Sequence, residues 1–103
     1  MHIVTFYSFK GGVGRTLALV NIGIELAQTG KRVLLVDFDL EAPGLDTYKQ
    51  LKPAEPTPGL VDYVTDYLSS GVPSDFKDHF YQPEFSKQLE GELSVMPLSL
   101  IHI

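Results

Sequence analysis

A glycine-dense turn at residues 11–14 separates an apolar, β-rich stretch from an apolar helical pattern. Between a strand and a helix, such a turn points successive backbone N–H groups inward, because no Cβ blocks the approach of phosphate oxygens. Lys10 and Arg15 add positive charge beside the turn, and Thr16 adds a hydroxyl that suits Mg²⁺. This stretch predicts a nucleoside triphosphate site.

The order of the elements around the turn predicts a βαβ unit. Residues 2–9 form the expected first strand, a helix follows from residue 13 or 14 to residue 29, and the wholly apolar residues 33–36 form a second strand. Strands that are apolar on both faces are usually central and parallel, with helices on both sides. Ligands of such sheets bind at the carboxyl ends of the strands, so Asp37 and Asp39 are expected beside the glycine loop.

The predicted helix is apolar around most of its circumference. Its polar stripe is narrow and consists of Asn21, Glu25 and Gln28. A helix of this kind is expected to pack on a sheet and to expose few apolar side chains. The apolar positions are Leu17, Leu19, Val20, Ile22, Ile24, Leu26 and Ala27.

The rest of the chain has weaker patterns. Residues 40–59 are rich in proline and glycine and predict a loop, with one helical turn allowed at residues 46–51. Residues 60–68 predict a helix, and a short helix capped by Ser74 or Asp75 is expected to reach about residue 81. Residues 92–97 predict a third strand that is stopped by its proline.

Composition narrows the functional classes. A formal charge of −5 disfavours nonspecific binding of nucleic acid or of an anionic membrane by this segment. The chain has no cysteine for disulfides or thiolate metal sites, and its three histidines have no zinc-like spacing. It has neither a signal-peptide pattern nor an apolar run long enough to span a bilayer. A cytoplasmic location is expected by default.

The loop does not match the ordinary P-loop pattern G-x-x-x-x-G-K-[ST], because Phe9 takes the first glycine position and Arg15 the lysine position. On that pattern alone, a plain glycine turn is an equal alternative. Residues 10–16 resemble the deviant Walker A loop of ParA/MinD-type ATPases, normally K-G-G-x-G-K-[ST], in a subgroup that carries arginine. Residues 31–39 resemble the next strand of that family and its D-x-D switch.

The resemblance implies how the loop would bind phosphate. Lys10 matches the signature lysine, which in this family reaches the nucleotide of a partner subunit in an ATP-sandwich dimer. Arg15 stands where the phosphate-gripping lysine normally lies, so nucleotide binding with slow turnover is expected. The backbone that would wrap the phosphates belongs to Gly11, Gly12, Val13, Gly14, Arg15 and Thr16.

The resemblance also implies the metal and water sites. Thr16 matches the Mg²⁺ ligand, and Asp39 matches the switch carboxylate that positions or activates the attacking water. Asp37 is expected in the second coordination shell of Mg²⁺, with a simple strand-end cap as the alternative. ATP and Mg²⁺ are therefore the expected cofactors.

Other polar and aromatic residues receive plainer interpretations. Asp62 is expected to be a cap or a solvated loop residue, and His79 a surface or half-buried side chain. An aromatic group is expected to pack within a helical layer, with partner binding as the alternative. It comprises Tyr63, Tyr67, Phe76, Phe80 and Tyr81.

Residues 1–98 are therefore interpreted as the N-terminal part of an α/β P-loop NTPase domain with a parallel sheet, a Rossmann-like three-layer α/β/α fold that is incomplete here. Residues 99–103 are expected to be a non-native or disordered tail. No second acidic strand of the Walker B type follows residue 40. Alone, the chain is expected to be marginally stable and inactive.

The function predicted for the full-length protein is a slow ATPase that uses Mg²⁺–ATP as a dimerisation switch. It would form a homodimer and act on an unidentified protein partner or on fused domains. The alternatives are a non-hydrolysing nucleotide-binding regulatory module of a larger protein and a tyrosine-kinase-like phosphotransferase.

Overall fold

A computed structural model of the chain describes residues 2–5, 15–38, 48–53 and 56–98, and for Arg15 and Thr16 it describes the backbone alone. This part of the chain is a small α/β region with two parallel strands. The two helices are α1, Arg15–Gln28, and α2, Leu60–Ser70, and the strands are β1, Arg32–Val36, and β2, Glu92–Met96. Three short 3-10 helices span Lys49–Leu51, Phe76–His79 and Glu84–Gln88.

The sheet is built around β2. β1 pairs with β2 in parallel, from Arg32 opposite Glu92 to Val36 opposite Met96. On the other edge of β2, Tyr81 forms an antiparallel bridge with Val95, with N···O distances of 2.9 and 2.8 Å. The Tyr81 hydroxyl also donates a hydrogen bond to the Leu51 carbonyl oxygen. These contacts hold the chain at Tyr81 and the 3-10 helix Lys49–Leu51 against the sheet.

The core lies between α1 and one face of this sheet. α1 contributes Val20 and Ala27, which pack with Leu35 of β1 and with Leu93 and Val95 of β2. Leu51, at the end of the 3-10 helix Lys49–Leu51, joins the same buried cluster. Since both strands present alternate residues to α1, the helix covers one face of the sheet.

The helices and later strands confirm most of the predicted boundaries. α1 ends where expected, and Gly30 follows it with a left-handed φ of 94°. α2 ends at Ser70, two residues beyond the predicted end, and Gly71 caps it with a φ of 73° and an N–H bond to the Tyr67 carbonyl oxygen. β2 stops before Pro97, as the sequence indicates. Of the two proposed caps for the short helix, Asp75 is the one that accepts the Lys77 N–H, at 3.0 Å.

The prediction of a first strand is wrong for residues 2–5. These residues have no regular secondary structure, and Ile3 is 85% exposed. A strand forms only where a neighbour pairs with its backbone, and none of the described strands pairs with this segment. Residues 6–9 of the predicted strand lie outside the described part of the chain.

α1 also exposes more apolar surface than predicted. Leu17 and Leu26 are exposed, and Ile22 is 47% exposed. The physical reason is the width of the sheet, because the two described strands form a narrower surface than the apolar stripe of this helix.

The predicted aromatic layer is confirmed around α2 for three of its five residues, whereas Tyr67 is 49% exposed and Tyr81 lies on the edge of the sheet. Tyr63 contacts Phe76 edge to face, with ring centroids 5.7 Å apart, and Phe76 contacts Phe80 at 5.5 Å. The interpretation of His79 is wrong, because its side chain is buried beneath Tyr63 and the residue is 4% exposed. Its Nδ1 lies 2.9 Å from the Asp75 carbonyl oxygen, and this contact stabilises the buried ring.

We expect Leu93→Ala to lower the free energy of unfolding by about 2–5 kcal/mol, because it removes a fully buried side chain and leaves a cavity. Leu68→Ala makes the same chemical change on α2, where Leu68 is 76% exposed. The matched variant should change that free energy by less than about 0.5 kcal/mol. Urea denaturation followed by circular dichroism measures both, and equal losses would contradict this assignment of the core.

Candidate functional site

The carboxyl edge of the sheet holds the one predicted site side chain that the structure describes. Asp37 follows β1 directly and is 6% exposed. Its backbone N–H donates to the Met96 carbonyl oxygen at 3.0 Å, which extends the ladder between β1 and β2 by one bond. The carboxylate is therefore carried on a backbone that the sheet fixes in place.

The first turn of α1 points toward the same edge. A short turn, Thr29 to Lys31, joins α1 to β1 at the amino edge, where Gly91 N–H donates to the Ala27 carbonyl oxygen at 2.8 Å. Because α1 packs back across the sheet from that turn, its N-terminus faces the carboxyl ends of the strands. The helix begins at Arg15, one of the predicted loop residues.

The remaining predicted site residues have no described side chains. Arg15 and Thr16 are placed by their backbone as the first two residues of α1. The loop and the second aspartate lie outside the described residues, so their placement stays a prediction. These residues are Lys10, Gly11, Gly12, Val13, Gly14 and Asp39.

A junction that the sequence did not predict adjoins Asp37. The N–H groups of Leu60 and Val61, in the first turn of α2, donate to the carbonyl oxygens of Pro97 and Leu98 at 2.9 and 3.1 Å. Gly59, just before α2, donates its own N–H to the Asp62 carboxylate at 2.8 Å. This confirms Asp62 as a cap. The sequence shows a glycine before a helical pattern and a proline after a strand. It does not show that these two distant segments are in contact.

The junction occupies the N–H groups at the start of α2. The N–H groups of residues 59, 60 and 61 already have protein acceptors at the start of α2. Helix N-termini bind anions through N–H groups that have no partner within the helix. The start of α2 is therefore poorly suited to an anion, and the phosphate site at the N-terminus of α1 stays a prediction.

The described residues also fit a magnesium–nucleotide complex in part. Mg²⁺ prefers oxygen ligands and usually keeps several waters, so a nearby carboxylate such as that of Asp37 suits its second coordination shell. Within the described ranges, no three histidine, aspartate or glutamate side chains cluster as a metal site.

A separate hollow of 540 Å³ lies on the other face of the sheet. Its walls come from the amino halves of the two strands and from residues around Tyr81. The lining side chains include Arg32, Leu34, Phe80 and Glu92. This hollow lies apart from Asp37 and from the start of α1.

Comparison with known proteins finds one family and several relatives that match part of the chain. A family described as an AAA domain matches residues 1–55. The chain is 48% identical over 44 residues to the septum site-determining protein MinD of Helicobacter pylori. It is 55% identical over 40 residues to the virulence plasmid ParA family protein pGP5-D of Chlamydia trachomatis, and 53% over 36 residues to the chromosome-partitioning ATPase Soj of Treponema pallidum.

These similarities cover a limited part of each protein. The matches cover 43%, 38% and 35% of this chain and 16%, 15% and 14% of the three relatives, in the same order. No solved structure matches the chain at a significant level. Among the described helices, none combines the length and the apolar character that crossing a membrane requires.

We expect Asp62→Ala to destabilise the start of α2 by about 1 kcal/mol, because the Gly59 N–H then loses its carboxylate acceptor. Asp78→Ala removes an exposed carboxylate from the 3-10 helix Phe76–His79 and serves as the control, with a loss below about 0.5 kcal/mol. Chemical denaturation of the two variants measures the difference. A loss in Asp78→Ala as large as in Asp62→Ala would argue against the capping role.

Proposed function

We propose, on the premise that the chain belongs to the AAA domain family of ParA/MinD-type P-loop ATPases, that it binds Mg²⁺–ATP and hydrolyses it slowly as a dimerisation switch. The observation that carries the proposal is the family match over residues 1–55, which spans both the glycine loop and the Asp37–Asp39 pair. The burial of Asp37 at the carboxyl edge of the sheet supports it.

In this proposal the loop holds the triphosphate. Backbone N–H groups of Gly11 to Thr16 and the N-terminus of α1 bind the phosphate oxygens. Lys10 reaches the phosphates of the partner subunit's nucleotide in the homodimer, and Arg15 neutralises charge within its own subunit. These donors stabilise the negative charge that spreads over the γ-phosphoryl oxygens in the transition state.

The acidic residues and Thr16 serve the metal and the water. Mg²⁺, when bound, neutralises charge on the β- and γ-phosphates. The Thr16 hydroxyl would hold it directly, and Asp37 would bind a water of its coordination sphere. The Asp39 carboxylate orients the water that attacks the γ-phosphorus atom.

Slow turnover follows from Arg15. Its guanidinium is planar and has a fixed fork of donors, whereas the usual lysine is a compact point charge on a flexible stem. A charge-assisted contact with phosphate survives the exchange, at about 1.5–3 kcal/mol. The placement of charge at the bridging oxygen during cleavage does not, so binding is retained while hydrolysis is slowed.

For the whole protein we propose a cytoplasmic homodimer with a three-layer α/β/α fold and an unidentified protein partner or fused domains. The exposed apolar stripe of α1 supports a wider sheet than the two described strands. The Treponema pallidum relative is named a chromosome-partitioning ATPase, which supports ATP hydrolysis as the activity. The presence of Arg15 favours a second candidate, a nucleotide-binding regulatory module that does not hydrolyse ATP.

We expect Arg15→Lys to raise the rate of ATP hydrolysis about tenfold, which corresponds to about 1.4 kcal/mol of transition-state stabilisation. The measurement is steady-state phosphate release by a full-length relative that carries the same K-G-G-V-G-R loop. ATP affinity should change by less than about threefold, since both side chains contact phosphate. A variant that hydrolyses ATP no faster would count against this role of Arg15.

We expect Asp39→Ala in the same protein to abolish hydrolysis while Mg²⁺–ATP still binds, because the attacking water loses the carboxylate that orients it. Equilibrium titration with a fluorescent ATP analogue and phosphate release measure the two effects separately. Binding without hydrolysis in both the unaltered protein and the variant would establish the regulatory module. Failure of the unaltered protein to bind ATP would refute both candidates.

A further inference from the structure

We propose that Gly59 is a positioning residue that fixes the backbone of Asp37 through the chain that follows β2. The inference concerns a contact between the start of α2 and the end of β2, two segments that are distant in sequence. Its consequence for Mg²⁺ rests on the proposed function, whereas the positioning of Asp37 rests on the hydrogen bonds of the described residues alone.

Space, rather than backbone conformation, requires glycine at this position. The φ of Gly59 is −134°, a value that any residue adopts. A Cβ added there would lie 1.9 Å from the carbonyl oxygen of Pro97 and 2.6 Å from its carbonyl carbon. Both are backbone atoms, so they cannot move aside as the end of a flexible side chain can. Any larger residue must displace Pro97 or α2.

Hydrogen bonds hold the two segments at this close distance. Leu60 N–H donates to the same Pro97 oxygen at 2.9 Å, and Val61 N–H donates to the Leu98 oxygen at 3.1 Å. Gly59 N–H is turned to the Asp62 carboxylate. Pro97 and Leu98 are both buried, so a displaced carbonyl would lose its partner without gaining water.

The same stretch of chain carries the partner of Asp37. The Met96 carbonyl oxygen, one residue before Pro97, accepts the Asp37 N–H at 3.0 Å. Planar peptide bonds connect the two carbonyl groups through one residue, and the ring of Pro97 fixes its φ. A displacement of the Pro97 carbonyl that rotation about the ψ of Pro97 does not absorb therefore moves the Met96 carbonyl, and the backbone of Asp37 then loses its fixed position.

The chain offers a closely matched control at the opposite edge of the sheet. A Cβ added to Gly91 would lie 2.0 Å from the Lys31 carbonyl oxygen, a backbone clash as severe as the one at Gly59. Gly91 adjoins the amino ends of β1 and β2, whereas Gly59 adjoins their carboxyl ends. Gly59→Ala and Gly91→Ala thus disturb the same two strands, but only the first acts next to Asp37.

The first experiment is amide hydrogen exchange of the whole chain. The measured quantity is the exchange rate of the Asp37 amide divided by that of the Val95 amide, which donates to Tyr81 and reports opening of the sheet. We expect this ratio to be about tenfold higher in Gly59→Ala than in the unaltered chain. In Gly91→Ala that ratio should stay unchanged. An unchanged ratio in Gly59→Ala, or an equal rise in both variants, would overturn the proposal.

Leu60→Pro provides a second test if Gly59→Ala does not fold. Proline is well tolerated at the first position of a helix, and here it removes the N–H that binds the Pro97 oxygen. The exchange ratio of Asp37 should again rise, and a ratio equal to that of the unaltered chain would contradict the role of the junction.

The second experiment measures Mg²⁺ dependence in a full-length relative with glycines at both matching positions. We expect Gly59→Ala to raise the Mg²⁺ concentration for half-maximal ATP binding about fivefold, with binding in EDTA unchanged and Gly91→Ala without effect. Equal Mg²⁺ dependence in the two variants would refute the link from Gly59 to the metal. If the unaltered protein binds no ATP, the proposed function fails, and hydrogen exchange decides the positioning of Asp37 independently.

Discussion

Three consecutive backbone carbonyls organise the carboxyl edge of this protein. Those of Met96, Pro97 and Leu98 accept N–H groups from Asp37, Leu60 and Val61, so a single short stretch joins β1 to α2. Regular ladders cannot make this connection, since β2 ends at Met96 and proline has no N–H to donate. The position of the buried aspartate and the docking of α2 both depend on it.

Much of the local structure could be predicted because its signals are local. The apolar pattern of α1, the left-handed glycine after it and the apolar run that ends at Asp37 each lie within a few residues. Asp37 was also placed correctly at the carboxyl edge, because it directly follows the apolar run that forms β1. The pattern at residues 2–5 looked equally strand-like, but a strand also needs a neighbour that sequence does not reveal.

Tertiary contacts account for what the sequence did not predict. His79 is buried because Tyr63 covers its ring and the Asp75 carbonyl satisfies Nδ1, and neither contact follows from a period of apolar residues. The 3-10 helix Glu84–Gln88 has no such period, and it depends on the Ser86 hydroxyl that accepts the Leu93 N–H at 2.9 Å. Gly59 is the last residue of the predicted loop, and its close approach to Pro97 is a tertiary contact that the sequence does not show.

The bridge at Tyr81 has a consequence for how this sheet can grow. Val95 uses its N–H and carbonyl on Tyr81, and the Tyr81 hydroxyl is anchored to Leu51. A strand arriving on that side of β2 would have to break both backbone bonds, so the bridge acts as a stop against edge-to-edge association. Addition of strands is thus directed to the outer edge of β1, which pairs with no other described strand.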